Sequence, residues 1–132
     1  MSKSWRVFGE LILVAAGLFV LFNLGSPIVL TILTFIIILG LLVFVHELGH
    51  FVAAKKSGME VEEFGFGFPP RAFGIKRGGT IYSVNWIPLG GFVKITGEDG
   101  SDTQNPNSFA NKPAWKRFIV LIAGVSMNVV LA

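Results

Sequence analysis

Two histidines four residues apart, with a glutamate beside the first, are the residues of this 132-residue sequence best suited to chemistry: His46-Glu47-Leu48-Gly49-His50. On a helix, residues four apart share one face, so both imidazoles can reach a single metal ion. Zinc suits such a pair, because it accepts imidazole nitrogen, can keep a position open and lowers the pKa of its bound water to about 7. Glu47 lies next to that water and can take its proton. The hydroxide so formed can attack a peptide carbonyl, and Glu47 can later pass the proton to the departing amine. A blander reading makes these three side chains interfacial residues at a polar helix end. Their place directly after a long uncharged apolar run favours the metal, since ionisable groups at or inside a membrane span are costly and mark functional sites.

Two histidines do not complete the set of three protein ligands that a catalytic zinc usually takes. The sequence has no cysteine and no further histidine. Glu60, Glu62 and Glu63 follow the expected helix end too closely to fold back, and Glu98, Asp99 and Asp102 read as surface charges in a polar stretch. The third ligand is therefore expected beyond Ala132.

The elements that must position this group are those of a membrane protein. Hydrophobic residues make up 52% of the chain and charged ones 14%, too apolar for the large surface of a small soluble body. Residues 1–26 read as an amino-terminal transmembrane helix and turn, the apolar stretch Val7 to Leu24 being longer than an ordinary signal core. Residues 27–58 read as the transmembrane helix carrying the histidines, with Ser26 as cap, Pro27 at the first position and Gly58 as the stop. Residues 59–97 alternate short apolar runs with glycine and proline and suggest strands, with Arg77-Gly78-Gly79 as a hairpin turn. Residues 98–113 read as a polar loop. Residues 114–132 begin a third transmembrane helix that stops short of the roughly twenty residues a span needs.

The fold class expected is thus an α-helical membrane protein with a small membrane-associated antiparallel β-sheet between its second and third helices. The net charge of +3 is better explained by membrane orientation than by nucleic acid. All basic residues lie before the first helix (Lys3, Arg6) or from Lys55 onward, and none near Ser26. The positive-inside rule then puts His46 and His50 towards the cytoplasmic face.

The run Val43-Phe44-Val45-His46-Glu47-Leu48-Gly49-His50-Phe51, with Phe64-Gly65-Phe66-Gly67 and Ile87-Pro88-Leu89-Gly90-Gly91-Phe92-Val93-Lys94, resembles the site-2 protease family. It is most similar to the bacterial branch that includes the regulator of sigma-E protease, over roughly Leu39 to Ala132. The resemblance implies a zinc endopeptidase of the bacterial inner membrane that cleaves transmembrane segments of membrane-anchored regulatory proteins. It implies an aspartate in a later helix as third ligand, and PDZ domains after the next helix; neither the aspartate motif nor such a domain is in this chain. It also implies that Phe64 to Ile95 forms a sheet dipping into the membrane near the zinc.

A free strand edge there could hold an unwound substrate by main-chain hydrogen bonds. Tyr82, Ser83, Val84, Asn85 and Trp86 are the preferred edge. The alternative is an interfacial hairpin whose Phe73, Trp86 and Phe92 anchor at the headgroups. Asn128, polar in an apolar helix, could reach substrate backbone or bond a neighbouring helix, with Gly124 allowing close approach. The expected partners are the lipid bilayer and transmembrane substrates. Rival readings are a non-catalytic membrane module that binds helices without a complete zinc site and, more weakly, a metal-handling membrane protein.

Overall fold

A computed structural model describes residues 3–132, with side chains from Gly9 onward. The basic side chains of Lys3 and Arg6 lie outside the described set. The described residues form, in chain order, the helices α1 (Lys3–Asn23) and α2 (Pro27–Lys56), the strands β1 (Val61–Arg77) and β2 (Thr80–Ile95), and the helix α3 (Ala114–Leu131). A 3-10 turn at Phe109–Asn111 precedes α3. The chain forms two compact units, Met1–Ile36 and Ile37–Ala132.

The first unit holds α1, the turn after it and the opening turns of α2. The turn is closed by Ser26 N–H donating to the Asn23 carbonyl at 2.7 Å, and α2 starts with Leu30 N–H on the Ser26 carbonyl at 3.0 Å. Pro27 occupies the first helical position, where no N–H is needed. Nearly every described apolar side chain here is exposed, Phe22 and Ile28 among the most.

In the second unit, α2 ends in a Schellman motif. Gly58, at φ +73°, donates to the Lys55 carbonyl at 3.1 Å, and Met59 donates to that of Ala54 at 2.9 Å. Gly58 takes the left-handed conformation without the cost a Cβ would bring. The turn sends the chain back along α2 into β1. Ala54, Met59, Val61, Ile95 and Val120 are buried together, with Phe51, Ala53, Val93 and Phe109 packed on them. This small core joins the end of α2, both strands and the start of α3.

The strands are longer than the short runs expected, and each bends on itself. Gly78 and Gly79, both at positive φ, make the expected hairpin turn between Arg77 and Thr80. Residues 63–66 pair on one side with Lys94, Val93, Phe92 and Gly91, and on the other with Ile81, Tyr82, Ser83 and Val84. The latter segment also pairs outward with Lys76 through Phe73. Tyr82, Ser83 and Val84 are therefore paired on both sides, and the sequence-based placement of the free edge there is corrected. Among the described residues, the outer segments are Arg71–Arg77 and Gly91–Ile95. Arg71 grips Glu63 across the bend of β1 with two hydrogen bonds, at 3.1 and 2.6 Å.

Candidate metal centre

Helical periodicity divides the pentapeptide His46 to His50 between two faces of α2. Phe44, Glu47 and Phe51 are spaced three and four apart and lie on one stripe. That stripe meets the sheet. Phe64 of β1 lies against both Phe44 and Phe51, with ring centroids at 5.6 and 4.6 Å, and Phe66 meets Phe44 edge-on at 5.7 Å. Glu47, between the two aromatic anchors, faces the backbone N–H of Val93 in β2. The loop before that segment closes on α2 one and two turns earlier. A Cβ on Gly90 would lie 2.6 Å from Val43, and one on Gly91 3.0 Å from the Phe44 ring.

The other stripe, His46, Gly49 and His50, meets α3, whose matching stripe is Val120, Gly124 and Asn128. The two run antiparallel. His50 Nδ1 lies 2.7 Å from the Val120 carbonyl, and His46 Nδ1 lies 3.3 Å from Asn128 Nδ2. The two rings meet edge to face with centroids 4.7 Å apart, and their Nε2 atoms converge to 3.0 Å. Small residues allow this approach: a Cβ on Gly49 would fall 2.5 Å from the Ala123 carbonyl oxygen. One on Gly124 would fall 2.6 Å from both His46 Nε2 and His50 Nε2.

These residues fit a zinc ion. A carbonyl can only accept, so the Val120 contact keeps the His50 proton on Nδ1 and leaves the Nε2 lone pair for a metal. The missing Cβ of Gly124 leaves space at the point where both Nε2 atoms converge. Among the described residues, no group of three or more His, Cys, Asp or Glu side chains gathers as a metal site.

The other expected site residues fall elsewhere. Ser83 and Asn85 are buried in the sheet facing Gly65, where a Cβ would collide with both and with the Phe92 ring. Val84 and Trp86 are exposed on the opposite face, as strand alternation requires. Tyr82 packs edge-on against Phe51 at 5.9 Å. Among the described residues, the polar contacts of the histidines are with each other and with α3, and none reaches this strand. Sequence reasoning missed the Val93 N–H and the Val120 carbonyl, because main-chain groups carry no residue signature. Gly124 and Asn128 were legible as a four-residue step, but the ring they would face was not.

Sequence comparison places the chain. Residues 34–132 match the model of Peptidase family M50, and the chain belongs to this family, the site-2 protease family. It is 49% identical to a candidate zinc metalloprotease of Fusobacterium nucleatum over 104 residues, covering 78% of this chain and 30% of that protein. It is 45% identical to one of Clostridium acetobutylicum, covering 80% of this chain and 30% of that protein. The zinc metalloprotease RasP of Geobacillus kaustophilus is 48% identical over 69 residues, which are 52% of this chain and 16% of that protein. The chain thus spans at most 30% of the length of these relatives.

Proposed function

We propose that this chain carries the zinc-binding histidine pair and the catalytic base of a protease that cleaves peptide bonds inside a bacterial inner membrane. The observation that carries the reading is the convergence of His46 Nε2 and His50 Nε2 to 3.0 Å over Gly124, with Glu47 on the adjoining face of the same helix. Family membership supports a peptidase, and the relatives' names support zinc. Among the described residues, two helices, Pro27–Lys56 and Ala114–Leu131, are long and apolar enough to cross a membrane. Their exposed apolar side chains support a lipid surround, and the placement of the basic residues supports a site towards the cytoplasm.

When bound, zinc supplies a Lewis acid and a water acidified to near neutrality. His46 and His50 would hold it through Nε2. Glu47 would accept the proton from the attacking water on its carboxylate and release it to the leaving amine. The Val93 N–H, which that carboxylate faces, would help to orient it. The substrates in this reading are transmembrane segments of membrane-anchored proteins, unwound so that their backbone can reach the metal. An outer segment of the sheet, Gly91–Ile95 beside Glu47, is suited to pair with such an extended chain. Backbone at membrane depth needs partners of this kind.

The test is made in the full-length protein with a membrane-anchored substrate. Glu47→Gln should retain about one zinc and lose cleavage, whereas His46→Ala should lose both. Cleavage that survives Glu47→Gln rejects the base, and unchanged zinc in His46→Ala rejects the metal pair. The rival reading, a non-catalytic module that binds helices, predicts substrate binding with no cleavage in any variant.

A further inference from the structure

A further stripe of α2, Gly49, Val52 and Lys56, looks away from the sheet. Helical periodicity sets it opposite Phe44, Glu47 and Phe51. With Ile119, Ala123 and Met127 of α3 it lines a groove of about 510 Å³, within the range of pockets that seat small molecules. The floor of the groove is the close contact of the two helices, where a Cβ on Gly49 would stand 2.8 Å from Met127 Cγ. Ser126 turns its hydroxyl onto the Ile122 carbonyl at 2.9 Å and leaves that part of the wall apolar.

One end of the groove is basic. Lys56, in the last turn of α2, and Lys116, in the first turn of α3, both line it. Lys116 Nζ donates to the Ser57 carbonyl at 3.3 Å and lies 5.5 Å from the centre of the Trp115 ring. That bond fixes one ammonium at the end of the other helix and leaves it two further protons to donate. No carboxylate lines the groove, and among the described residues the ion pairs are made elsewhere, by Arg71 and Lys94. Trp115 is 60% exposed, as suits an aromatic at the level of lipid headgroups.

An apolar groove that ends in two unpaired cations matches a molecule at hand around a pair of membrane helices. A further protein helix would cover the apolar wall equally well, but it would take the lysines and Trp115 out of the headgroup level that suits them. We propose that this groove binds one anionic phospholipid of the surrounding bilayer, its acyl chain along Val52, Ile119 and Ala123 and its phosphate at Lys56 and Lys116. The inference rests on the membrane setting of the function proposed above and not on its metal.

For the test, the full-length protein is placed in phosphatidylcholine vesicles that carry a minor share of a photoactivatable lipid. This lipid is either phosphatidylglycerol or phosphatidylcholine with a diazirine in its acyl chain, and labelled peptides are identified by mass spectrometry. Labelling of residues 49–57 and 115–127 should favour phosphatidylglycerol by at least about 10-fold. Lys56→Gln and Lys116→Gln should each lower that preference about 5-fold, the usual share of one lysine near an anionic surface. Val52→Trp, which fills the groove from an exposed position, should reduce labelling of both segments with helix content unchanged. Equal labelling by the two lipids overturns the inference. Labelling that ignores Val52→Trp overturns it too, because the lysines then act by general attraction to the surface. Strong labelling elsewhere with none in these segments means that protein covers the groove, and also overturns it. Failure to enter the vesicles removes the membrane setting as well, whereas a failed Glu47 or His46 test leaves the lipid site standing.

Discussion

Gly49 of α2 lies so close to Ala123 of α3 that a Cβ on the glycine would stand 2.5 Å from the alanine carbonyl oxygen. One residue further along α3, a Cβ on Gly124 would touch both His46 Nε2 and His50 Nε2. The contact between the helices and the space for a metal are therefore set by adjacent positions, and they can be perturbed separately.

Gly124→Ala should fill the space between the imidazoles. Zinc affinity is expected to fall by at least about 10-fold, as for loss of a supporting partner, with helix content unchanged by circular dichroism. Gly49→Ala should instead act on packing and destabilise by about 1–3 kcal/mol, the usual cost of inserting a methyl into a tight contact. If Gly124→Ala binds zinc like the parent chain, the space it leaves is not the metal position.

Glu47→Gln removes the proposed base but neither imidazole. Zinc content should remain near that of the parent protein while the cleavage rate drops by about 10²–10⁴-fold, the range for loss of a general base. Metal analysis and a proteolysis assay on one preparation check both halves.

The ion pair between Glu63 and Arg71 makes the sheet sensitive to acid. Partial burial would raise the Glu63 pKa, but the Arg71 hydrogen bonds and charge outweigh it and hold the carboxyl below its ordinary value of 4.5. A depressed pKa adds stability above the unfolded value, and that stability is lost as pH falls through the folded one. Protection of the amides of residues 63–66, corrected for intrinsic exchange, should fall below about pH 4.5 in the parent chain. Arg71→Ala should shift that onset upward. Arg71 is half exposed, so the pair is worth about 1 kcal/mol or less.

Gly90 is at φ +77° and a Cβ there would lie 2.6 Å from Val43. Gly90→Ala should lift the loop from α2 and loosen the Val93 contact to Glu47. Cleavage should fall in the full-length protein with zinc binding nearly unchanged, because the histidines answer to α3. Equal loss of zinc and cleavage would contradict the separation of the two faces.

Much of this arrangement was legible in the residues. Apolar length, the Pro27 start, the Gly58 stop and the Gly78-Gly79 turn place the helices and the hairpin, because each rests on local chemistry. The partner of each strand was not legible. Residues 63–66 pair with two segments far along the chain, and alternation alone assigns faces but not neighbours. Tyr82 to Trp86 is the edge preferred within the sheet that the resemblance implies, yet Tyr82 to Val84 lie in the middle of the sheet. At the site, the four-residue step gives the shared face of His46 and His50, while the Val120 carbonyl and the Val93 N–H emerge only once the chain is folded.

The splitting of the pentapeptide between two faces of α2 makes that helix a cam. Turning it about its own axis by a few degrees carries the histidines and the glutamate round together, so bringing one group nearer its neighbour takes the other away. A chain that pairs along Gly91–Ile95 and presses on Glu47 would thus be felt at His46 without touching it. If the proposed metal centre and substrate pairing hold, cobalt in place of zinc would report such a turn as a change in its visible spectrum.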